Sequence, residues 1–166
     1  MTVLSIIVFA INIFCIFIIM KEVIKEILIQ NQERNLAKGL RMRHTAISLD
    51  LEKIQAIIGP RRVGKTSAMQ LAIEELKTIR GVPSEHIIYF NFEDERIQFE
   101  PHQLDLILQA WQELNPEREL ENAWFFFDEV QAAPGWERFL NRINETFTKR
   151  IFFTGSNSTV LHTELK

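Results

Sequence analysis

The chain has 166 residues, of which 46% are hydrophobic and 25% are charged, and its formal net charge is -3. This length and composition predict one globular domain of ordinary size, and the slightly acidic balance argues against general or sequence-specific affinity for nucleic acid. The single cysteine excludes an internal disulfide, and the four histidines are scattered without the spacing of metal ligands.

An uncharged apolar run opens the chain. Residues 3–20 carry no charged side chain, and at about 1.5 Å per residue they reach about 27 Å, close to the ~30 Å hydrocarbon core of a bilayer. Several Lys and Arg residues follow, which favours a cytoplasmic location for the rest of the chain. We therefore predict a transmembrane helix within residues 1–20 that anchors a cytoplasmic domain to the inner face of a membrane. A start codon assigned too far upstream and a helix buried against a partner remain alternatives.

Residues 21–44 combine mixed charge with apolar residues at helical spacing, which predicts a helical linker. Residues 45–52 should form a short helix or turn that leads into the domain spanning residues 45–166. An apolar run at 53–58 predicts the first strand, and the apolar spacing after residue 66 predicts a helix that ends near Ile79.

Between that strand and that helix lies the pattern G-x-x-x-x-G-K-[ST], the Walker A phosphate-binding loop. It comprises Gly59, Pro60, Arg61, Arg62, Val63, Gly64, Lys65 and Thr66. The glycines let the backbone N–H groups turn inward, and the positive end of the following helix lies behind them, so the loop is suited to bind phosphate. We predict a nucleoside triphosphate as the ligand.

Individual residues of the loop have separate predicted roles. Lys65 reaches the β- and γ-phosphates of the nucleotide, and the Thr66 hydroxyl ligates Mg²⁺. Ser67, the next residue, completes the predicted nucleotide-binding set. Arg61 and Arg62 occupy variable positions of the pattern, where they contact phosphate or a partner, or are simply solvated.

The middle of the chain predicts a second strand, a helix and a loop. Residues 86–92 form an apolar, β-branched and aromatic run, and an acidic segment follows it. Asp94 in that segment lies either near the metal or in a solvated turn. Pro101 is expected to open a helix that continues to Leu114, and residues 115–122 are predicted to be a surface loop.

A second apolar run, residues 123–127, ends in paired carboxylates and matches the Walker B pattern. An unbroken apolar run is typical of a strand buried on both faces, and its carboxyl end would deliver Asp128 to the Mg²⁺ held by Thr66. Glu129 would orient and activate the attacking water. A helix around Phe139 is predicted next.

A fourth strand is predicted at 150–154, and it ends in small polar residues. Ser156 or Asn157 at its end would hold the attacking water and sense the γ-phosphate, or alternatively would cap the next helix. These elements together predict an α/β fold of three layers: a P-loop NTPase core whose parallel sheet has the strand order 1-4-3-2.

The three motifs resemble those of AAA+-like P-loop ATPases, in particular the bacterial and archaeal group whose ATPase domain precedes a winged-helix and nuclease-like C-terminal region. The matching segments are Gly-Pro-Arg-Arg-Val-Gly-Lys-Thr, Phe-Phe-Phe-Asp-Glu-Val-Gln with Trp136 shortly after, and Phe-Phe-Thr-Gly-Ser-Asn-Ser. The resemblance implies that Glu129, Asn157 and Lys65 are catalytic and that Thr66 and Asp128 bind the metal. Gln131 also matches the group, but no role for it follows.

The resemblance also implies parts that this chain does not contain. Members of that group continue with a helix, a fifth strand, an arginine that completes the site and C-terminal domains, whereas this sequence ends at Lys166. We therefore expect a truncated domain that is completed by a partner, by a homo-oligomer or by missing C-terminal domains. Without a fifth strand, the first strand would be an unpaired sheet edge.

Mg²⁺-dependent ATP binding and hydrolysis coupled to a conformational change is the function that this sequence predicts. Adenine is favoured over guanine by the resemblance and because the chain lacks an Asn-Lys-x-Asp motif. The alternative is a fragment or scaffold that binds ATP but turns it over poorly. A small-molecule or nucleotide kinase would need an acceptor motif, which the sequence lacks.

Overall fold

A computed structural model describes residues 3–33, 39 and 47–156, so Asn157 lies outside the described residues. The described part contains four strands and four α-helices, with short 3₁₀ turns at Ser84–His86, Leu120–Asn122 and Val130–Ala132. In chain order the elements are α1 (Val3–Glu33), β1 (Gln55–Ile58), α2 (Lys65–Thr78), β2 (Ile87–Asn91), α3 (Asp105–Leu114), β3 (Trp124–Asp128), α4 (Trp136–Thr146) and β4 (Ile151–Gly155).

The four strands form one parallel sheet in the order β1-β4-β3-β2. The predicted α/β fold and strand order are confirmed. β3 and β4 are apolar along most of their length because helices cover both faces of the sheet, which leaves few positions for polar residues. Their phenylalanines pack across the sheet: the rings of Phe126 and Phe152 stack with centroids 4.8 Å apart.

Two apolar clusters, one on each face of the sheet, give the molecule its three layers. On one face, α2 packs Met69, Ile73 and Leu76 against Phe126 and Phe152. On the other face, side chains from α1, α3 and α4 pack against the remaining residues of the strands. Trp111 of α3 is fully buried in that second cluster, and its indole N–H donates to the carbonyl oxygen of Glu85.

α1 is one continuous helix whose C-terminal half belongs to the core. Ile24, Ile27 and Leu28 are buried among the residues of α3 and the sheet. The side-chain amide of Asn31 donates to the carbonyl oxygen of Tyr89 at 3.1 Å. Because β2 has a neighbour on one side only among the four described strands, this contact places the end of α1 over the edge of the described sheet.

The N-terminal half of α1 exposes large apolar side chains. Those exposed are Val8, Ile11, Phe14, Ile16, Ile18 and Ile19. Over the ranges that the structure describes, no helix meets the length and hydropathy that crossing a membrane requires. The transmembrane helix predicted within residues 1–20 is therefore not confirmed, and the domain boundaries near residues 20 and 45 stay predictions.

Replacing Ile27 with alanine should lower the free energy of unfolding by about 2–5 kcal/mol, because it deletes buried methyl and methylene groups from the core. Ile27 is 1% exposed, whereas Ile29, two residues further along α1, is 40% exposed. The matched variant Ile29→Ala should therefore cost about 0.5 kcal/mol or less. Urea unfolding followed by circular dichroism compares the two. Equal effects would contradict the packing of α1 against the domain.

Residues 47–52 contain a turn, which is one of the two forms predicted for this segment. One local prediction differs from the structure, because α3 begins at Asp105 rather than near Pro101. The later start follows from Gln103, whose side-chain carbonyl accepts the N–H of Glu100 at 2.8 Å. That bond stabilises a turn ahead of the helix, as local side-chain to backbone bonds commonly do.

Candidate functional site

The loop between β1 and α2 has the geometry of a phosphate-binding turn. Gly64 has φ 96°, a left-handed conformation that disfavours any other residue, and it directly precedes the first helical residue of α2. A Cβ at Gly59 would lie 3.3 Å from the Cγ2 atom of Val63, so this glycine permits a tight turn. Among the residues that the structure describes, no side chain caps the N-terminus of α2, and its first backbone N–H groups are therefore available to an anion.

Lys65, the first residue of α2, directs a buried ammonium group into the mouth of this loop. Its side chain is 4% exposed. The Nζ atom donates to the carbonyl oxygens of Gly59 at 3.1 Å and Pro60 at 3.2 Å, and it lies 3.4 Å from Oε1 of Glu129. The ammonium group thus lies between the phosphate-binding loop and the end of β3, where a phosphate cradled by the loop would meet it. Thr66 and Ser67 follow in the first turn of α2, both half-buried.

Asp128 ends β3 and is completely buried. The hydroxyl of Tyr89 in β2 donates to its Oδ2 atom at 3.2 Å, and the hydroxyl of Thr154 in β4 donates to its Oδ1 atom. A buried carboxylate needs such donors because it has left water. Both neighbouring strands therefore hold Asp128 in one orientation.

Glu129 adopts a left-handed backbone conformation, with φ 51° and ψ 53°. This conformation costs a residue with a side chain about 1–2 kcal/mol and is concentrated at functional sites. The backbone N–H of Glu129 donates to Oγ1 of Thr154 at 2.9 Å, which holds the turn in place. The turn directs the carboxylate of Glu129 towards Lys65.

Sequence reasoning missed Thr154 as a site residue, and it noted Gln131 without assigning it a role. Thr154 contacts both Asp128 and Glu129. Gln131 donates from Nε2 to Oε2 of Glu129 at 2.7 Å and to Oγ of Ser156 at 3.2 Å. The signal for Thr154 was its position in an apolar strand, because a hydroxyl group that is buried there requires a hydrogen-bond partner. Site roles were predicted only for the residues that follow the strand.

Ser156, predicted as a sensor, contacts Gln131 through its hydroxyl and through its backbone N–H, which donates to Oε1 of Gln131 at 3.3 Å. Asn157, predicted as the other sensor, lies outside the described residues. Neither role is tested, and both stay predictions. In the structure, the side chain of Gln131 hydrogen-bonds to both Ser156 and the carboxylate of Glu129 and so links them.

Several charged residues near the loop pair with one another. Arg61 pairs with Glu93 at 2.7 Å, and both side chains are largely exposed, which favours the solvated interpretation of Arg61. Arg62 is also exposed. The carboxylate of Asp94 binds the guanidinium of Arg96 at 2.7 and 2.9 Å, and this hydrogen bonding lowers the pKa of Asp94. The carboxylate of Asp94 is thus held by Arg96.

The oxygen donors present fit a magnesium ion bound together with a nucleotide. Among the described residues, no group of three or more His, Cys, Asp or Glu side chains could hold a metal by itself. Mg²⁺ does not need such a cage, because in nucleotide sites it keeps several waters and binds one or two protein oxygens plus phosphate. Asp128 and the hydroxyl of Thr66 supply donors of this kind.

Replacing Thr154 with valine should lower the free energy of unfolding by about 1–3 kcal/mol, because the buried carboxylate of Asp128 and the N–H of Glu129 both lose a partner. Valine keeps the shape of threonine, so the change removes the hydroxyl without opening a cavity. Thr154→Ser keeps the hydroxyl and is the matched control. Denaturant unfolding without nucleotide measures the effect, and a Thr154→Val variant as stable as Thr154→Ser would contradict the network.

Comparison with known proteins gives a family for this arrangement. A family model described as an AAA domain matches residues 51–166. An uncharacterized protein of Haemophilus influenzae is 34% identical over 116 residues, which cover 70% of this chain and 28% of that protein. An uncharacterized protein of Methanocaldococcus jannaschii is 32% identical over 149 residues, which cover 87% of this chain and 30% of that protein. The chain spans less than a third of the length of either relative, and no solved structure matches it.

Proposed function

The chain belongs to the AAA domain family, whose members have an ATPase-like nucleotide-binding function, and on that basis we propose that it binds ATP with Mg²⁺ and hydrolyses it. One observation carries the proposal. The buried ammonium of Lys65, at the start of α2, lies 3.4 Å from the carboxylate of Glu129, which follows the buried Asp128 at the carboxyl end of β3. Ligands of open α/β sheets bind at that end of the strands.

Binding of the triphosphate would use the loop and Lys65. In the structure, Lys65 contacts two neutral carbonyl oxygens and one carboxylate. The β- and γ-phosphate oxygens are charged acceptors, which form stronger hydrogen bonds with an ammonium than neutral carbonyls do. Phosphate would therefore replace the carbonyls of Gly59 and Pro60 as partners of Lys65 and would separate Lys65 from Glu129.

Thr66 and Asp128 would hold the Mg²⁺, which neutralises charge on the phosphates when bound. Asp128 is suited to this because Tyr89 and Thr154 fix its orientation from the two neighbouring strands. Hydrogen bonds that orient a metal-binding carboxylate commonly affect metal affinity. The hydroxyl groups of Tyr89 and Thr154 would therefore act on the proposed metal site indirectly, by orienting Asp128.

Glu129 would act as the general base that takes a proton from the attacking water. Its carboxylate is largely buried, with 14% of the side chain exposed, and lies 3.4 Å from Lys65. A water between this carboxylate and a γ-phosphate on Lys65 would be within reach of both, which is the geometry that general base catalysis requires. Ser156 and Asn157 would contact the same γ-phosphate as the sensor.

Completion of the site would come from outside residues 45–166. Because the chain spans less than a third of its relatives, we propose that a homo-oligomer or C-terminal domains contribute the arginine that stabilises the transferred phosphoryl group. In the described sheet, β1 pairs with β4 on one side only. This open edge is where such a completing element would be accommodated.

A second candidate function is ATP binding with little turnover. The observation that favours it is the pairing of Lys65 with Glu129, which engages the carboxylate of the proposed base. Among the described residues, Arg61 is exposed and paired with Glu93 rather than with the carboxylates of the site. If no other arginine reaches the site, the chain would bind ATP and hold it.

Titration of the full chain with ATP, GTP and ADP separates these functions. We expect ATP to bind in the presence of Mg²⁺ and less tightly after chelation, GTP to bind more weakly, and phosphate to be released from ATP over time. Binding of ATP without phosphate release would favour the second function. No binding of any nucleotide would contradict both.

A further inference from the structure

We propose that Gln131 is a positioning residue that holds the carboxylate of Glu129 relative to the end of β4. The inference rests on the proposed function and assigns a role that neither the sequence motif nor the family membership supplies. Gln131 lies in the 3₁₀ turn Val130–Ala132 directly after Glu129. Its side-chain amide is the one described link between the proposed base and Ser156.

The hydrogen bonds fix the orientation of the Gln131 amide. The backbone N–H of Ser156 donates to Oε1 of Gln131 at 3.3 Å, and an N–H group requires the carbonyl end of the amide as its acceptor. The amide nitrogen must then face the opposite direction, where it donates to Oε2 of Glu129 at 2.7 Å. A side chain with a single kind of polar atom could not satisfy both neighbours.

Each oxygen of Glu129 has a different partner. Oε1 lies 3.4 Å from Nζ of Lys65, and Oε2 accepts from Gln131 at 2.7 Å. A phosphate bound to Lys65 would compete with Oε1 of Glu129 for the Lys65 ammonium. The hydrogen bond from Gln131 to Oε2 involves no phosphate-binding residue. Gln131 would therefore keep the carboxylate in place after ATP binds.

β4 supports both the backbone and the side chain of Glu129. Thr154 accepts the N–H of Glu129 and thereby supports its left-handed conformation. Gln131, fixed by Ser156, supports the carboxylate. Because Ser156, one of the two predicted sensors, directly follows β4, a movement of that strand end would reach the base through Gln131.

Steady-state ATP hydrolysis and nucleotide affinity of Gln131→Met and Gln131→Glu in the full chain test the proposal. Methionine keeps the length of the side chain but donates no hydrogen bond, so kcat should fall about tenfold. This loss is smaller than the factor of about 10²–10⁴ that a general base contributes, because Glu129 itself is retained. Affinity for a fluorescent ATP analogue should change less than about twofold. Gln131→Glu should lower kcat further, because its carboxylate repels that of Glu129.

The matched control is Gln103→Met, which removes a glutamine that stabilises a turn away from the site. It should lower the melting temperature and leave kcat unchanged. If Gln131→Met keeps the kcat of an active wild type, the inference is wrong and the proposed function stands. If both Gln131 variants lose nucleotide affinity as much as kcat, the role is structural and the inference is equally wrong. A wild type that releases no phosphate overturns the proposed function and this inference together.

Discussion

Lys65→Ala is expected to weaken ATP binding by roughly 100- to 1000-fold. Lys65 would supply charge-assisted hydrogen bonds to two phosphates, each worth about 1.5–3 kcal/mol, and a loss of 3–4 kcal/mol corresponds to that change in the dissociation constant. Alanine also removes the positive charge next to Glu129, which lies 3.4 Å away, so the carboxylate would then repel the γ-phosphate without compensation. Titration of the full chain with a fluorescent ATP analogue in the presence of Mg²⁺ measures the effect.

The control for this variant is Lys53→Ala, which removes an exposed lysine ahead of β1. It changes the net charge by the same amount, so any general electrostatic effect on ATP binding appears in both variants. We expect Lys53→Ala to bind ATP as the wild type does. Equal affinities of the wild type and Lys65→Ala would show that ATP does not bind at the phosphate loop.

Glu129→Gln is expected to retain ATP binding and to lose 10²- to 10⁴-fold in turnover, because a general base contributes a factor of about this size. The amide keeps the shape of the side chain but cannot take a proton from water. ATP should bind at least as tightly as to the wild type, since the carboxylate that pairs with Lys65 at 3.4 Å is gone. Phosphate release under steady-state conditions and ATP titration together separate the two effects.

Glu121→Gln is the matched control for Glu129→Gln. Glu121 is exposed in the turn before β3, at the opposite end of that strand from Glu129, and its replacement makes the same change in charge away from the site. Turnover should not change. If Glu129→Gln hydrolysed ATP as fast as this control, Glu129 would not be the base, and the second function or another base would have to be considered.

The sheet and its strand order were predictable because buried parallel strands require unbroken apolar runs. Residues 123–127 and 150–153 are almost entirely apolar. A phosphate-binding loop together with a Walker B strand also indicates the order of the strands in the sheet. The structure confirms the parallel order β1-β4-β3-β2. The placement of Lys65 near the ends of β3 and β4 follows from the same pattern.

Other parts of the site could not be predicted because they depend on contacts between distant strands. Thr154 joins Asp128 and Glu129 only because β4 lies beside β3 in a particular register. The left-handed conformation of Glu129 has no signal in its residue type, which rarely adopts it. Gln131 stood out in the sequence, but its role required knowing that the end of β4 approaches its amide.

The partner of helix α1 also could not be predicted from the sequence. The apolar spacing through Ile24, Ile27 and Leu28 predicted a helix, and the uncharged run before it suggested a membrane segment. An apolar stripe indicates that a helix face is covered but does not say by what. In the structure, α3 and the sheet cover it.

Identification of the nucleotide that remains bound after incubation with Mg²⁺ and ATP tests the central proposal most directly. The full chain and its Glu129→Gln variant are incubated, separated from free nucleotide and analysed by ion-exchange chromatography. We expect ADP on the wild type and ATP on Glu129→Gln, because only the wild type has the base that completes hydrolysis. ATP on both proteins would contradict hydrolysis at this site, and no nucleotide on either would contradict ATP binding itself.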